Sequence, residues 1–122
     1  MTPLVSKILA EDRQMHVWWA TEVECASTLA RLEREGVDSV IIETALSRLT
    51  ALREDWNEIS AGTGVRATAR RLLRLHPLRS ADALQLAAAS ALADGDPASV
   101  SFLSFDDRLR HAARLEGFPL LP

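Results

Sequence analysis

Residues 83–93 constrain the fold of this chain more than any other segment. Their sequence, ALQLAAASALA, carries no charge and is apolar nearly all the way round a helix. A helix of that kind is buried on several sides, so other elements of the chain must cover it. Ser80 is a residue type that favours a helix N-cap, and Asp-Gly-Asp-Pro at 94–97 is typical of a turn. We therefore predict a buried central helix over residues 81–93.

Apolar periodicity predicts five further helices around this one. They cover residues 3–12, 21–35, 37–56, 65–75 and 106–115. Gly36 and Gly117 stand where a helix-ending glycine is expected. Short apolar runs predict strands at residues 15–19, 100–105 and 118–121, and residues 57–59 are a further extended piece. This alternation of strands and helices predicts an α/β fold with a parallel sheet.

Length and composition indicate one folded domain over residues 1–122, with 48% hydrophobic and 25% charged residues. No apolar run has the length of a membrane span, and the N-terminus lacks a signal-peptide pattern, so we expect a cytoplasmic protein with no membrane partner. Cys25 is the only cysteine, which excludes an internal disulfide and a cysteine-rich zinc site. The net charge of −3 gives no general attraction to nucleic acid, so RNA binding requires a local basic patch or a bound metal.

Three acids stand near predicted helix starts: Glu24, Asp82 and Asp106. In open parallel sheets, ligands bind beyond the carboxyl ends of the strands, where helices begin. Carboxylates gathered there would hold Mg²⁺ or Mn²⁺, and such an ion activates water for attack on a phosphodiester. The alternative is that each acid only stabilises the N-terminus of its helix. That alternative is weakest for Asp82, because a carboxylate in so apolar a helix needs a partner.

The first of these acids has a competitor two residues earlier. On a helical wheel of residues 21–35, Glu22 falls inside the apolar arc, whereas Glu24 lies on the polar side with Thr28 and Arg31. Periodicity therefore leaves open which of the two glutamates is the unusual one.

Residues 65–75 predict a basic amphipathic helix that carries four arginines: Arg66, Arg70, Arg71 and Arg74. Such a face is usually only solvated, but in this chain it is the best candidate for contact with an RNA backbone. The three histidines, at positions 16, 76 and 111, show no mutual metal-ligand spacing. We interpret them as structural or surface residues.

Three blocks, in order along the chain, resemble those of the PIN-domain ribonucleases. Residues 21–31 (TEVECASTLAR) resemble a block in which a glutamate precedes small and aliphatic residues and an arginine. Residues 78–87 (LRSADALQLA) are similar to the block LRxxDALxLA, which is the most specific match. Residues 102–109 (FLSFDDRL) resemble a strand that ends in Thr/Ser-x-Asp before a basic residue. The resemblance covers essentially the whole length and implies a three-layer α/β/α fold with a short parallel sheet.

The resemblance also implies a function, that of a Mg²⁺- or Mn²⁺-dependent endoribonuclease of the VapC toxin type. The implied partners are an RNA substrate, a cognate antitoxin and a second copy in a homodimer. By position, three carboxylates are assigned to catalysis and metal binding: Glu24, Asp82 and Asp106. The resemblance thus favours Glu24 over its competitor. Two auxiliary groups near the metal are implied, Ser104 and Asp107, and two arginines would contact phosphate or balance the carboxylates, Arg79 and Arg108.

The chain departs from the family at its N-terminus. PIN domains begin with an apolar strand that ends in Asp-Thr/Ser-Ser, and that aspartate is a primary metal ligand. This chain starts in what resembles the first helix, and neither Asp12 nor any other residue stands in that context. We expect the natural protein to be longer, because the other family acids are all present.

Two alternatives to the nuclease stay open. The first is a catalytically inactive PIN-like module that binds an antitoxin or itself. The second needs no family resemblance: a small α/β interaction domain whose acids are only helix caps.

Overall fold

The computed structural model describes residues 15–122, which form two compact units, one ending at Glu58 and one spanning Ile59–Pro122. The helix predicted over residues 3–12 lies outside the described residues. The elements, in chain order, are β1 (His16–Trp18), α1 (Thr21–Arg34), α2 (Ser39–Asp55), β2 (Asn57–Ile59), α3 (Thr63–Leu75), α4 (Ser80–Ala93), a 3₁₀ helix (Pro97–Ser99) and α5 (Asp107–Leu115). The five predicted helices that fall within the described residues are confirmed to within two residues at each end.

The first unit is built on two helices between two short strands. β1 and β2 pair in a two-stranded parallel sheet, which confirms both predicted extended segments. Trp18, the last residue of β1, is buried, and Trp19, in the turn that follows, is exposed. The strand pair is brief because each strand is only three residues long.

Backbone bonds at the end of α1 and a side-chain cap at the start of α2 stabilise the turn that joins the two helices. Gly36 has a φ of +103°, and the amides of Gly36 and Val37 donate to the carbonyls of Glu33 and Leu32. This is a Schellman ending, which satisfies carbonyls that the last turn of a helix leaves without partners. Asp38 then begins α2, and its carboxylate accepts the amide of Val40 at 2.8 Å. The predicted break between the two helices at Gly36 is therefore confirmed.

The second unit has its core along α4. Six α4 side chains are buried, five alanines and one leucine: Ala83, Leu86, Ala87, Ala88, Ala89 and Ala93. Helix α3 packs along α4 through Val65, Ala69 and Leu72. Small side chains let two helices approach closely, so this pair forms the centre of the unit. The expectation that residues 83–93 are buried on several sides is confirmed.

The prediction that Ser80 caps α4 is wrong. Ser80 is the first helical residue, and Arg79 occupies the N-cap position with extended backbone and no side-chain cap. The helix starts one residue earlier than predicted because Asp82, three residues after Arg79, bonds back to the Arg79 backbone amide. That arrangement is one half of a capping box.

The predictions of strands over residues 100–105 and 118–121 are wrong in length. The two segments pair through a single parallel bridge, between Phe102 and Leu120. The amide of Phe102 donates to the carbonyl of Pro119 at 2.8 Å, and the amide of Leu121 donates to the carbonyl of Phe102 at 3.0 Å. Pro119 has no N–H, so it cannot donate the preceding bond of the ladder. Phe105, the last residue of the first of these predicted strands, is 64% exposed.

Helix α5 packs on this bridge segment and ends in a second Schellman turn. Leu109, Ala112 and Ala113 are its buried residues. Gly117 follows with a φ of +97°, and the amide of Phe118 donates to the carbonyl of Ala113 at 3.0 Å. Phe118 thereby turns inward, and its ring lies 5.9 Å from that of Phe102.

In secondary structure, the described residues are mostly helical with a short parallel sheet, which is compatible with the predicted α/β class. Within residues 15–122, none of the helices combines the length and the apolar character that crossing a membrane requires.

Candidate functional site

Asp82 lies in the first turn of α4, at the N-terminal end of the unit's most buried helix. Its carboxylate is partly buried and accepts the Arg79 backbone amide. Asp82 is the only acidic residue in the first turn of this otherwise uncharged helix. The local role of Asp82 is thus that of a capping acid, as the alternative reading of the sequence expected.

Asp106 is the N-cap of α5, directly after the segment that holds Phe102. One of its carboxylate oxygens accepts the amide of Leu109 at 2.9 Å. The amide of Asp106 itself donates to the hydroxyl oxygen of Ser104 at 3.1 Å. Ser104, predicted as an auxiliary group, therefore fixes the turn on which the Asp106 carboxylate stands.

The charge of Asp106 acts on Asp82, although 24 positions separate the two residues in the sequence. Burial raises the pKa of the Asp82 carboxyl, and the negative charge of Asp106 raises it further. The charge of Arg79 and the bond from its backbone amide oppose this increase without cancelling it. A helix cap by itself needs no second acid, so the effect of Asp106 on Asp82 makes these two residues the candidate site.

Arg110 supports this turn and was not among the predicted site residues. Its guanidinium Nη1 donates to the carbonyl of Ser104 at 3.1 Å and to the carbonyl of Leu121 at 2.9 Å. Both carbonyls follow the Phe102–Leu120 bridge in the chain. Arg110 thus bonds to backbone acceptors at the point where the pairing of the two segments ends. No local pattern predicts this role, since an arginine four residues after a helix cap is usually solvated.

The remaining predicted residues of the second unit lie at the starts of α4 and α5. Asp107 is the first residue of α5 and is exposed. Arg79 precedes α4 and is exposed, yet its charge acts on Asp82. Arg108 is exposed on the first turn of α5, and it makes no ion pair with any residue from 15 to 122.

The third predicted ligand, Glu24, belongs to the first unit, where it lies in the first turn of α1 and is half-buried. Its competitor, Glu22, forms an ion pair with Arg53 of α2, with 3.5 Å between Oε1 and Nη1. That pair explains why an acid stands in the apolar arc of α1. Glu22 is thus accounted for by its ion pair with Arg53. Glu24 remains the predicted ligand.

The chemistry of the Asp82–Asp106 pair fits a hard divalent cation. Mg²⁺ keeps several of its waters and is commonly bound by one or two carboxylates, so a site with two aspartates is chemically possible. Among residues 15–122 there is no group of three or more His, Cys, Asp or Glu side chains arranged to hold a metal ion. A cation at this pair would therefore depend on water and substrate oxygens for its other ligands.

A second cluster of charged groups lies at the other end of α5. Glu116 accepts a hydrogen bond from Arg71 at 3.1 Å, and its other oxygen lies 2.9 Å from Nε2 of buried His76. Burial raises the pKa of the Glu116 carboxyl, but the hydrogen bonds from His76 and Arg71 outweigh it, so the pKa is lowered. This cluster ties the end of α3 to the end of α5, which agrees with the prediction that His76 is structural.

Comparison with known protein families finds none that matches this chain, and comparison with curated proteins finds no significant similarity.

Proposed function

We propose that this protein is a Mg²⁺- or Mn²⁺-dependent endoribonuclease of the PIN, VapC-toxin type, acting in the cytoplasm on RNA phosphodiesters. The observation that supports the proposal is that Asp82 and Asp106 each stand at the start of a helix, where the charge of Asp106 acts on Asp82. Both acids lie in blocks that resemble PIN domains, and the family resemblance assigns both to the metal. We also propose the family's three-layer α/β/α arrangement, with which helices around a short parallel sheet are compatible.

In the proposed site, Asp82 and Asp106 would hold the cation. When bound, Mg²⁺ or Mn²⁺ supplies an activated water and neutralises charge on the scissile phosphate. Ser104 orients the Asp106 turn through the bond from the Asp106 amide. Arg79 and Arg108 are exposed cations on the helix starts that carry the two aspartates, where they would bind the phosphate oxygens of an RNA strand. Asp107 is an auxiliary acid of the same turn.

The test compares two aspartates at opposite ends of α4. Asp82→Asn should lower Mn²⁺-dependent cleavage of a labelled RNA by at least about 100-fold, because it removes a proposed ligand. Asp94→Asn makes the same charge change at the C-cap of α4, where asparagine tolerates the left-handed backbone (φ +46°), and should leave cleavage unchanged. Calorimetric titration with Mn²⁺ should show weakened binding for Asp82→Asn only.

Thermal unfolding of the same variants separates a metal site from a simple cap. Asp106 repels the Asp82 carboxylate, so Asp82→Asn should keep or raise the melting temperature at neutral pH. A capping role alone predicts the reverse, a lower melting temperature with Mn²⁺ binding unaffected. Full Mn²⁺-dependent cleavage by Asp82→Asn would end the nuclease proposal.

A second candidate is a catalytically inactive PIN-like module that binds an antitoxin or a second copy of itself. An open apolar groove in the first unit favours it. The groove, of about 610 Å³, lies between α1 and α2, and three of its lining residues are Leu29, Ile41 and Leu49. Val40 and Ile41 are 68% and 61% exposed at its side. Large exposed apolar patches on soluble proteins mark protein interaction sites.

Sedimentation equilibrium over a concentration series tests the self-association form of this candidate. Ile41→Ser should weaken the dimer, because it replaces an exposed apolar side chain beside the groove. Leu115→Ser is the matched control, since Leu115 is 62% exposed in the second unit. A dimer weakened equally by both variants would count against the groove as the interface.

A further inference from the structure

Helix α3 carries an unbalanced row of positive charge. Its sequence, TGVRATARRLLRL, contains four arginines and no acid, in a chain whose net charge is −3. The structure divides the four arginines. Arg71 is bound to Glu116, whereas Arg66, Arg70 and Arg74 are exposed and form no ion pair with any of residues 15–122. We call these three residues the α3 arginine row.

The spacing of the row is four residues at each step. Residues four apart are neighbours on a helix surface, and each step rises by about 6 Å along the axis. Like charges four residues apart destabilise a helix, whereas an acid four residues from an arginine stabilises it. Helix α3 contains no acid, so its three arginines repel one another. A bound anion with several negative charges would offset that repulsion.

The fold fixes the direction of the row. The two helices pack against each other, and only residues 76–79 connect the end of α3 to the start of α4. The C-terminal end of α3, with Arg74, therefore lies at the same end of this pair as the first turn of α4, with Asp82. The row leads along α3 toward the end of the helix pair that carries the proposed site.

We propose that the α3 arginine row binds the sugar–phosphate backbone of a single-stranded nucleic acid, and that it guides RNA toward the Asp82 end of the α3–α4 pair. The choice of RNA over DNA rests on the proposed function; the backbone contact does not. Guanidinium groups bind phosphate through two parallel hydrogen bonds, and a regularly spaced row suits a ligand whose charges repeat along a line. Contacts to phosphate carry no sequence information, so the row binds strands of different sequence equally.

The experiment measures fluorescence anisotropy of labelled RNA oligonucleotides in EDTA, over a series of salt concentrations. EDTA prevents cleavage, so binding is read independently of the proposed nuclease activity. The triple variant Arg66→Gln, Arg70→Gln, Arg74→Gln should weaken binding on the order of tenfold at low salt. For single strands each lost phosphate contact makes the slope of log K against log salt shallower by about 0.7, so the triple variant should lose about 2 units of slope.

The matched control removes three exposed arginines of the first unit, through Arg31→Gln, Arg34→Gln and Arg48→Gln. It changes the net charge equally and should leave most of the affinity and the slope intact. Equal loss in both triple variants would overturn the proposal, since binding would then follow net charge alone. An unchanged slope in the α3 variant would overturn it as well.

Two further probes separate the ligand classes. Single-stranded DNA of the same sequence should bind as the RNA does, because the contacted groups are shared. A poly-glutamate peptide that binds as tightly as RNA, and loses binding in the α3 variant, would overturn the nucleic-acid proposal in favour of an acidic protein partner. Loss of RNA binding in the α3 variant together with an absence of Mn²⁺-dependent cleavage in the wild type would uphold the row and reject the nuclease.

Discussion

The two units of this protein bury their apolar residues to very different degrees. In residues 15–58, Trp18 and Ile42 are the only buried hydrophobic residues, and α1 has none. In residues 59–122, buried side chains come from α3, α4, α5 and the Phe102 bridge. Both units are rich in aliphatic residues, so composition does not explain the contrast. What differs is that α4 is apolar on all sides and can be covered by several elements at once.

The buried residues of the second unit contribute most to stability, whereas the exposed apolar residues of the first unit are available for binding. The second unit has an interior that its own elements fill, and its Glu116 carboxylate is held by Arg71 and His76. The first unit leaves Val23, Val40 and Ile41 more than half exposed, which provides contact surface. Substitutions in the two units should therefore differ in effect.

Truncation of the core should separate the units most clearly. Leu86→Ala removes a fully buried α4 side chain and should lower the free energy of unfolding by roughly 2–5 kcal/mol. Val40→Ala removes an exposed side chain of α2 and should change it by no more than about 0.5 kcal/mol. Urea denaturation of both variants measures the difference. Similar losses would mean that Val40 is covered in solution.

The two Schellman glycines form a second matched pair. Gly36→Ala and Gly117→Ala both force alanine into a left-handed backbone, with φ of +103° and +97°, at a cost of roughly 1–2 kcal/mol. A Cβ at residue 117 would also lie 3.1 Å from Cγ of Pro97, whereas one at residue 36 meets nothing within 4 Å. Gly117→Ala should therefore be the more destabilising by thermal denaturation. The reverse order would contradict the tight packing assigned to the second unit.

The Glu116 cluster should make stability depend on pH. Because the folded pKa of Glu116 lies below its ordinary value of 4.5, its contribution is present above pH 4.5 and is lost as the pH falls below that value. Glu116→Gln should cost on the order of 1 kcal/mol at neutral pH, given that Arg71 is half-exposed. In acid the two proteins should converge, as followed by denaturation at a series of pH values. A constant difference would show that the charge of Glu116 plays no part.

The smallest effect is expected for the ion pair of the first unit. Arg53 and Glu22 lie 3.5 Å apart with side chains that are 48% and 34% exposed. Solvent screens such pairs, so Arg53→Gln should change the free energy of unfolding by only about 0.5 kcal/mol or less. High salt should remove even that difference. A loss as large as that of Glu116→Gln would show that the α1–α2 pair depends on this contact.

Much of the helical framework could be predicted from residues near one another in the chain. The periodicity of residues 21–35 and the glycine at position 36 predicted α1 and its end, because helix hydrogen bonds and Schellman turns join residues no more than five apart. The strands were less predictable. The run at 100–105 has strand-like residues, but its pairing depends on Pro119 and Arg110, which follow later in the chain.

The candidate site likewise has features that the local sequence predicts and features that depend on tertiary contacts. Sequence by itself determined that Asp82 and Asp106 stand at helix starts, since local capping chemistry places acids there. Only the tertiary structure decided that the two carboxylates interact, that Arg71 is bound to Glu116 while its three neighbours on α3 are not, and that Arg110 holds the Asp106 turn. Each of these contacts joins different elements or a helix to a loop, and such contacts are set by how the second unit packs on α4 rather than by any local pattern.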